Sequence, residues 1–398
     1  MHRRRLLIVS TEFPPGPGGI GTHAYQIASK ATEADWDVTV LAAQEYVPVD
    51  DAEAFNAEQP FSVVRFDTEG SFVRSGSSRV RAASRLADYF DPDLTVASGS
   101  WAVTLSASAP GLRRRPLVCV AHDTEFGGVI GGNSPMVLRH AYGRAAAVVC
   151  VSAYTRRRLD EVGIRARNVV VITNGGDSRV FKPRDDAKEV LFSGQFRDAP
   201  LLLTVGNVGL RKAQDVVIDA LPALVDQGVD VQYLAVGLPT DAEQLIARAA
   251  QLGVSDRVHL VGYLDLTDLT LAYQACDVFA MTSREAGNGS FEGYGIAVVE
   301  AALCGKPAVV TADSGLEEAV ADGETGVVVP QNDPAAFATA AGLLLTDEPR
   351  RNRLGAAARD HALKHGTWDL RCGEYLTLFD SVVGDRTSGR GRRAVARR

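Results

Sequence analysis

Short apolar segments rich in β-branched residues alternate with longer amphipathic segments along almost the whole chain. Seven lie in the first half, at 6–10, 37–43, 61–66, 93–98, 116–121, 146–152 and 168–173, and six follow at 200–206, 229–237, 257–262, 277–283, 307–312 and 325–330. Continuous apolar strands separated by helix-length segments are typical of parallel sheets covered by helices on both faces. Two such series predict two doubly wound α/β domains.

The break between the two series gives the predicted domain boundaries. Residues 1–178 form the first domain, and 179–199, "RVFKPRDDAKEVLFSGQFRDA", form a charged linker with little regularity. Residues 200–366 form the second domain, and 367–385 form a C-terminal helix that returns to the first. The tail 386–398 has six arginines and no acid, which predicts a disordered basic tail.

Composition and charge narrow the class of protein. The 398 residues are 46% hydrophobic and 23% charged, the profile of a globular protein. The net charge is −7, and residues 179–385 are strongly acidic, which argues against nucleic-acid binding. Five scattered cysteines indicate buried thiols in a reducing compartment. No segment has the length of a signal-peptide core or a membrane span, so the expected location is cytoplasmic.

A glycine-rich loop follows the first apolar segment. Gly16, Gly18 and Gly21 match the dinucleotide-binding spacing, and Glu45 lies near the position of a ribose-binding acid. Five residues separate the strand from the first glycine, however, and this weakens the match. The loop is therefore a substrate-contacting loop at a helix start, a tight turn, or a dinucleotide site.

Three further residues stand in loops that follow predicted strands. His122 follows the segment 116–121, and Arg211 and Lys212 follow 200–206. In open α/β sheets ligands bind at the carboxyl ends of strands, and adjacent cations before a helix suit a diphosphate. The alternatives are a structural histidine and a solvated pair of cations.

The stretch "FEGYGIAVVEAALCGKP", 291–307, places two carboxylates eight positions apart. Glu292 precedes a glycine turn, whereas Glu300 lies within a predicted helix beside residues that pack. An unpaired buried carboxylate is costly, so Glu300 should have a partner or face a cleft, where it suits the vicinal hydroxyls of a ribose. Gly293 and Gly295 allow close approach of a phosphate to the start of that helix.

Together with "FPPGPGGIG", "AHDTE", "VITNGGD" and "VGNVGLRK", this stretch resembles the retaining glycosyltransferase family 4 over essentially residues 5–380. The resemblance is nearest to bacterial phosphatidylinositol- and lipid-mannosyltransferases and related cell-envelope enzymes. It implies the GT-B fold, in which two Rossmann-like domains face a central cleft. It also implies transfer of a mannose- or glucose-type hexose from a GDP- or UDP-sugar to a hydroxyl of a lipid, polysaccharide or small molecule.

The resemblance also implies roles for individual residues. Catalysis is assigned to His122, Lys212 and Glu292. Donor binding is assigned to Gly18, Gly19, Asn207, Arg211, Lys212, Gly293, Tyr294, Gly295, Ile296, Ala297 and Glu300. Asn207 stands where the family often has arginine, so Arg211 is expected to supply that charge or the diphosphate site is weaker. No metal or cofactor is expected, because the candidate Asp-x-Asp at Asp91–Asp93 reads as a turn and the resemblance implies a metal-independent family.

The sequence is also compatible with other functions. A nucleotide-sugar epimerase of the same fold, a non-catalytic nucleotide-sugar-binding protein and an NAD-dependent oxidoreductase are the alternatives. The basic residues Arg139, His140, Arg144 and 156–158 form either a solvated surface or a peripheral contact with the anionic inner face of the membrane.

Overall fold

The chain folds into two compact units, Met1–Thr173 with Asp369–Arg398, and Asn174–Trp368. The computed structural model describes residues 3–43, 47–66, 72–123, 135–287 and 289–395, with the backbone alone for 72–75, 135 and 385–395. Glu45, the candidate ribose-binding acid, and residues 396–398 of the tail lie outside these ranges. Among the described helices, none has the length and apolar character needed to cross a membrane.

The first unit is built on a seven-stranded parallel sheet with the order β3-β2-β1-β4-β5-β6-β7. Its strands are β1 (Arg5–Ser10), β2 (Asp37–Ala43), β3 (Ser62–Phe66), β4 (Leu94–Ser98), β5 (Leu117–Ala121), β6 (Ala147–Cys150) and β7 (Val169–Val171). Its helices are α1 (Gly19–Glu33), α2 (Val49–Ala57), α3 (Phe72–Phe90), α4 (Ser100–Ser108), α5 (Pro135–Arg144) and α6 (Ala153–Glu161), with a 3₁₀ turn at Leu112–Arg114. All seven strands lie at predicted positions.

The second unit has a six-stranded parallel sheet with the order β10-β9-β8-β11-β12-β13. Its strands are β8 (Leu201–Val205), β9 (Gln232–Val236), β10 (Val258–Gly262), β11 (Val278–Met281), β12 (Ala308–Thr311) and β13 (Gly326–Val329). Its helices are α7 (Ala187–Val190), α8 (Gln214–Asp226), α9 (Ala242–Gln251), α10 (Leu266–Ala275), α11 (Ile296–Leu303), α12 (Pro334–Thr346) and α13 (Glu348–His365), with 3₁₀ turns at Leu191–Gly194, Ser255–Arg257 and Gly315–Glu318. The last helix, α14 (Trp368–Val395), belongs to the first unit from Asp369 onward.

Each unit has its own hydrophobic core, which explains the strand composition. In the first unit, Leu7, Val9 and Val148 pack under the helices with Leu105 and Tyr142. In the second, the apolar faces of α8 and α12 pack on the strands; the members include Val217, Leu221, Tyr233, Phe337 and Leu344. Strands buried on both faces have no polar side to present, and this is why the sequence shows continuous apolar segments.

The boundaries differ from the predicted ones. The division falls after Thr173, so "NGGD", 174–177, belongs to the second unit, together with the predicted linker. That linker contains α7 and a 3₁₀ turn, and Lys188 on α7 is paired with Asp277 at 2.6 Å. The first part of the tail also differs from the prediction. Helix α14 continues over residues 386–395, which were predicted to be disordered.

Candidate functional site

The strand order of the second unit reverses between β8 and β11, which are neighbours in the sheet. The loops that follow these two strands therefore emerge side by side at the carboxyl edge, the usual ligand position in such sheets. Arg211 and Lys212 lie in the loop after β8, and Glu292 lies in the loop after β11. Three of the predicted site residues, which are distant in sequence, thus lie in neighbouring loops at one edge of the sheet.

Glu292 accepts hydrogen bonds from both cations through one oxygen. Its Oε2 atom lies 2.6 Å from Arg211 Nη1 and 2.7 Å from Lys212 Nζ, and Ser283 Oγ lies at 3.4 Å. Glu292 is 8% exposed. Burial by itself raises the pKa of this carboxyl, but Lys212 and Arg211 outweigh it and hold the pKa well below its usual range. Glu292 is therefore ionised.

The position of Lys212 depends on a glycine at the end of β8. Gly206 has φ 146°, and a Cβ atom there would come within 2.9 Å of Lys212 Cε. The aliphatic part of the lysine thus runs over the bare backbone, and the ammonium reaches Glu292. Any larger residue at 206 would be strained and would push the lysine away.

The loop after β11 is fixed to the start of α8 by a second ion pair and to the loop after β8 by a backbone hydrogen bond. Arg284 donates to both carboxylate oxygens of Asp215 at 2.7 Å, and its backbone N–H donates to Arg211 O at 2.8 Å. Glu292 O accepts from Gly315 N at 2.9 Å. These bonds fix the positions of Arg211 and Glu292 relative to each other.

Asn207 is exposed beside this loop and has no charge to offer an anion. Its Oδ1 atom accepts from Leu238 N at 3.3 Å, and its backbone O accepts from Gln214 Nε2 at 3.3 Å. Asn207 therefore connects the loops after β8 and β9. The guanidinium of Arg211 lies on the same carboxylate as Lys212, which places a second cation beside the lysine.

Helix α11 begins immediately after the glycine turn. Gly295 is its N-cap residue with φ 88°, a left-handed conformation that suits glycine. Tyr294 before it is buried, and Ile296 and Ala297 form the half-buried first turn. The first backbone N–H groups of a helix have no acceptor within it, so this turn presents donors and a positive dipole end beside Gly293.

Glu300 lies one turn further along α11 and is half-buried. Tyr273 Oη on α10 donates a hydrogen bond to Glu300 Oε2 at 2.7 Å. Burial raises the pKa of Glu300 to about 7, and the bond from Tyr273 opposes that rise. The carboxylate between Val299 and Ala301 therefore has a protein partner, as its cost of burial requires.

His122 lies in the first unit, directly after β5, and is buried. Its Nε2 atom is 2.9 Å from Ser98 Oγ, and its backbone O accepts from Thr155 Oγ1 at 3.0 Å. The ring of His23 on α1 stands edge-on to it, with centroids 5.1 Å apart. Burial lowers the pKa of His122 to about 3, so the imidazole is neutral at physiological pH.

The glycine-rich loop leads into α1 of the first unit. Gly18 is the N-cap residue and Gly19 the first residue of α1, so the last glycine of the spacing, Gly21, already lies inside the helix. A side chain at Gly18 would collide with the carboxylate of Glu12. The loop thus combines a helix start with a neighbouring acid.

The predicted turn at Asp91–Asp93 lies at the opposite, amino-terminal edge of the first sheet. Asp93 Oδ2 accepts from Arg5 N at 2.9 Å, and Asp91 is paired with Arg5 at 3.1 Å and with Arg115. Within the described ranges, no group of three or more His, Cys, Asp or Glu side chains is arranged to hold a metal ion.

Sequence reasoning missed the residues that orient the site. Tyr273, Ser98 and His23 touch the predicted residues Glu300 and His122, and Asp215 with Arg284 fixes the loop that carries Arg211. Each is an ordinary core or helix residue in the sequence, and no local pattern distinguishes it. Only a buried hydroxyl that needs a partner could have pointed to Tyr273.

Comparison with known proteins agrees with this fold. The family model described as glycosyl transferases group 1 matches residues 186–361, and the model glycosyltransferase family 4 matches 17–179. A GDP-mannose-dependent alpha-(1-6)-phosphatidylinositol monomannoside mannosyltransferase of Mycolicibacterium smegmatis is 31% identical over 376 residues, 92% of this chain and 96% of that protein. The chain therefore belongs to the family 4, group 1 glycosyltransferases, which transfer a sugar from a nucleotide sugar.

Other similarities are more partial or concern the fold. A D-inositol 3-phosphate glycosyltransferase of Xylanimonas cellulosilytica is 38% identical over 191 residues, 48% of this chain and 44% of that protein. The structure of HepE from Anabaena with UDP and glucose has a TM-score of 0.79 at 22% identity, covering 95% of this chain and 100% of that one. Sucrose-phosphate synthase from Thermosynechococcus elongatus has a TM-score of 0.80 at 21% identity, covering 96% and 100%. These neighbours establish the GT-B fold.

Proposed function

We propose that this enzyme transfers mannose from GDP-mannose to a hydroxyl of an inositol-phosphate-containing lipid, with retention of the anomeric configuration and without a metal ion. The observation that carries the proposal is the different placement of the two carboxylates of the motif. Glu292 lies among the cations at the loop ends, and Glu300 lies one helical turn behind the start of α11. This arrangement suits a donor whose diphosphate lies between a sugar and a ribose.

Each site residue has a role in this proposal. Arg211, Lys212 and the first turn of α11 neutralise the diphosphate, and Glu300 accepts hydrogen bonds from the ribose. Glu292 contacts the hexose. Negative charge grows on the leaving diphosphate as the bond to the sugar breaks, so Lys212 stabilises the transition state more than the bound donor.

His122, Gly18 and Gly19 belong to the first unit, and we assign them to the hexose and the acceptor. His122 is neutral and held by Ser98, so it serves as a hydrogen-bonding group rather than a general acid. The acceptor oxygen then bonds to the anomeric carbon on the face from which the diphosphate departs. The leaving phosphate oxygen takes the proton of the acceptor hydroxyl.

The choice of donor and acceptor rests on the relatives. The M. smegmatis protein is named for GDP-mannose and a phosphatidylinositol mannoside, and the X. cellulosilytica protein for an inositol phosphate. An inositol phosphate moiety is common to both. HepE binds UDP-glucose in its structure, so a UDP-hexose is the second donor to test.

The deciding experiment is a donor-hydrolysis screen with GDP-mannose, GDP-glucose, UDP-glucose and UDP-galactose. Transfer to phosphatidylinositol mannosides and to inositol 3-phosphate is then measured with the best donor. We expect GDP-mannose turnover that persists in EDTA, and an α-linked product by NMR. A β-linked product or an EDTA-sensitive rate would contradict retention or metal independence, respectively.

The variant Lys212→Ala links that activity to this site. We expect kcat to fall by about 10²–10³-fold, with a smaller change in donor KM. Arg257→Ala is the matched control, because Arg257 pairs with Asp230 at 2.6 Å at the amino-terminal edge of the same sheet. Near wild-type turnover in Lys212→Ala would show that another group stabilises the leaving diphosphate.

A further inference from the structure

Glu292 forms ion pairs with two cations, Arg211 and Lys212. The side chains of Glu292, Lys212 and Arg211 are 11%, 14% and 32% exposed. Both cations meet the same Oε2 atom, at 2.6 and 2.7 Å. A charge-assisted hydrogen bond of this length is strong where water is largely excluded. Glu292 therefore occupies the position that a ligand anion would take between these cations.

Arg211 and Lys212 are the cations that a diphosphate would bind, and Glu292 is paired with both of them. A diphosphate that binds these cations therefore has to compete with Glu292. Breaking a buried ion pair without replacement is costly, because it leaves an uncompensated charge in a poorly hydrated place. The bound state must supply a partner for the displaced carboxylate.

The unused oxygen of Glu292 indicates what that partner is. Every hydrogen bond that the described residues donate to the Glu292 side chain ends on Oε2, from Arg211, Lys212 and Ser283. The Oε1 atom is left for a donor outside the protein. A hexose hydroxyl is such a donor. In the proposed site the ribose hydroxyls of a nucleoside diphosphate bind Glu300, so the diphosphate product leaves Glu292 Oε1 without a donor.

We propose that Glu292 is an internal counter-ion that competes with the nucleoside diphosphate product for Arg211 and Lys212. This inference rests on the proposed function and adds a second role to a residue of the same site. The intact donor compensates Glu292 through its hexose, and the product does not. The competition therefore lowers the affinity for the product relative to the donor and favours product release.

The test measures binding of inorganic diphosphate and of GDP to the full-length chain by titration calorimetry. The variant Glu292→Gln removes the competing charge and keeps the size of the side chain. We expect it to bind both ligands roughly ten- to a hundredfold more tightly, the range for loss of a charged hydrogen bond. Product inhibition by GDP becomes stronger in the same proportion.

Asp219→Asn is the matched control. Asp219 is a largely buried carboxylate on α8 that pairs with Arg248, and it does not contact Arg211 or Lys212. We expect its affinity for diphosphate to stay within about twofold of wild type, as for a change outside the binding site. An equal gain in both variants would mean that general electrostatics, not competition, sets the affinity, and would overturn the inference.

Loss of a counter-ion also destabilises the free protein, so thermal unfolding is a second readout. Without ligand, Glu292→Gln should melt at a lower temperature than wild type. Diphosphate should raise the melting temperature of Glu292→Gln by more than it raises that of wild type. Glu292→Asp, which keeps the charge on a shorter side chain, should give an intermediate gain in affinity.

Two further results distinguish the counter-ion role of Glu292 from the proposed function. Equal diphosphate affinity in wild type and Glu292→Gln, with binding in both, contradicts the counter-ion and leaves the proposed function intact. Failure of diphosphate to bind to either protein removes the diphosphate site itself, and the proposed function falls with it.

Discussion

Glu300 combines a tyrosine partner with a raised pKa, and both features affect how it holds a nucleotide. Its Oε2 atom already accepts from Tyr273, so the ribose meets chiefly the other oxygen. In Glu300→Gln the amide oxygen can keep the tyrosine bond, but a donor then faces the ribose. We expect donor affinity to fall about ten- to a hundredfold in titration calorimetry, with the fold retained.

Two controls accompany the Glu300 prediction. Tyr273→Phe removes only the internal hydrogen bond, and should therefore reduce donor affinity less than Glu300→Gln does. A 2′-deoxyribose donor should bind weakly to wild type and show little further loss in Glu300→Gln. If Glu300→Gln unfolds while its folded fraction binds donor normally, Glu300 is a structural acid.

The raised pKa of Glu300 gives a pH dependence with a definite sign. Burial raises the pKa to about 7, so the carboxyl becomes ionised in the folded protein only as pH passes that value. Its contribution to stability is complete below the unfolded pKa and is lost as pH rises through about 7. The affinity for the nucleotide instead rises with pH, because the ionised carboxylate of Glu300 is the better acceptor for the ribose hydroxyls.

The measurement compares wild type with Glu300→Gln between pH 5 and pH 8. Wild type should gain GDP affinity over this range by more than the variant, in which only the ligand titrates. Without ligand, the melting temperature of the variant relative to wild type should rise with pH. Parallel pH profiles of GDP affinity and melting temperature in the two proteins would show that Glu300 does not cause the pH dependence.

At the scale of elements, α14 is part of the first unit's core although it ends the chain. Cys372, Tyr375 and Phe379 are all buried. Tyr375 Oη lies 2.9 Å from His23 Nε2, and Phe379 packs edge-on against Trp36 with ring centroids 6.1 Å apart. The helix therefore closes the unit over α1 and supports the His23 ring beside His122.

We expect stability to depend on the first half of α14 and not on its end. Phe379→Ala should lower the free energy of unfolding of the first unit by about 3–5 kcal/mol, because it leaves a cavity beside Trp36. A chain that ends at Gly384 keeps the buried residues and should melt within a few degrees of wild type. Both are measured by calorimetry, and a large loss in the shortened chain would contradict this assignment.

At the scale of the whole molecule, helix α5 of the first unit carries exposed apolar and basic side chains next to each other. On α5, Met136 and Val137 are 75% and 43% exposed beside the exposed residues His140 and Arg144. The arginines at 156–158 lie in the middle of α6, and Arg158 is paired with Glu161 at 3.3 Å. The described residues of this region combine apolar and basic side chains, as membrane-contacting surfaces do.

We expect the protein to sediment with vesicles that contain phosphatidylinositol or phosphatidylglycerol, and to be released by high salt. Each basic residue near the surface contributes about 1 kcal/mol. The double variant Met136→Asp with Arg144→Glu should weaken the sedimentation strongly. The control Ile246→Asp alters an exposed apolar residue on α9 of the other unit and should have no effect. Equal sedimentation of all three proteins would exclude α5 as the contact.

The sequence by itself determined the strands, the fold class and the positions of the charged site residues. Strands buried on both faces must be apolar throughout, so each is visible as a continuous segment and is separated from the next by a helix. Glu292, Gly295 and Glu300 belong to one local turn-and-helix unit, and their spacing is likewise local information.

Only the tertiary structure decided which side chains meet. Glu292 is 80 positions from Lys212, and Glu300 is 27 from Tyr273. The first pair meets because β8 and β11 are neighbours at the reversal of the sheet, and the second because α10 packs beside α11. Strand order and helix packing depend on the burial of the whole apolar surface, which no short stretch of sequence contains. The ionised Glu292, the raised pKa of Glu300 and the neutral His122 all follow from those long-range contacts and from burial.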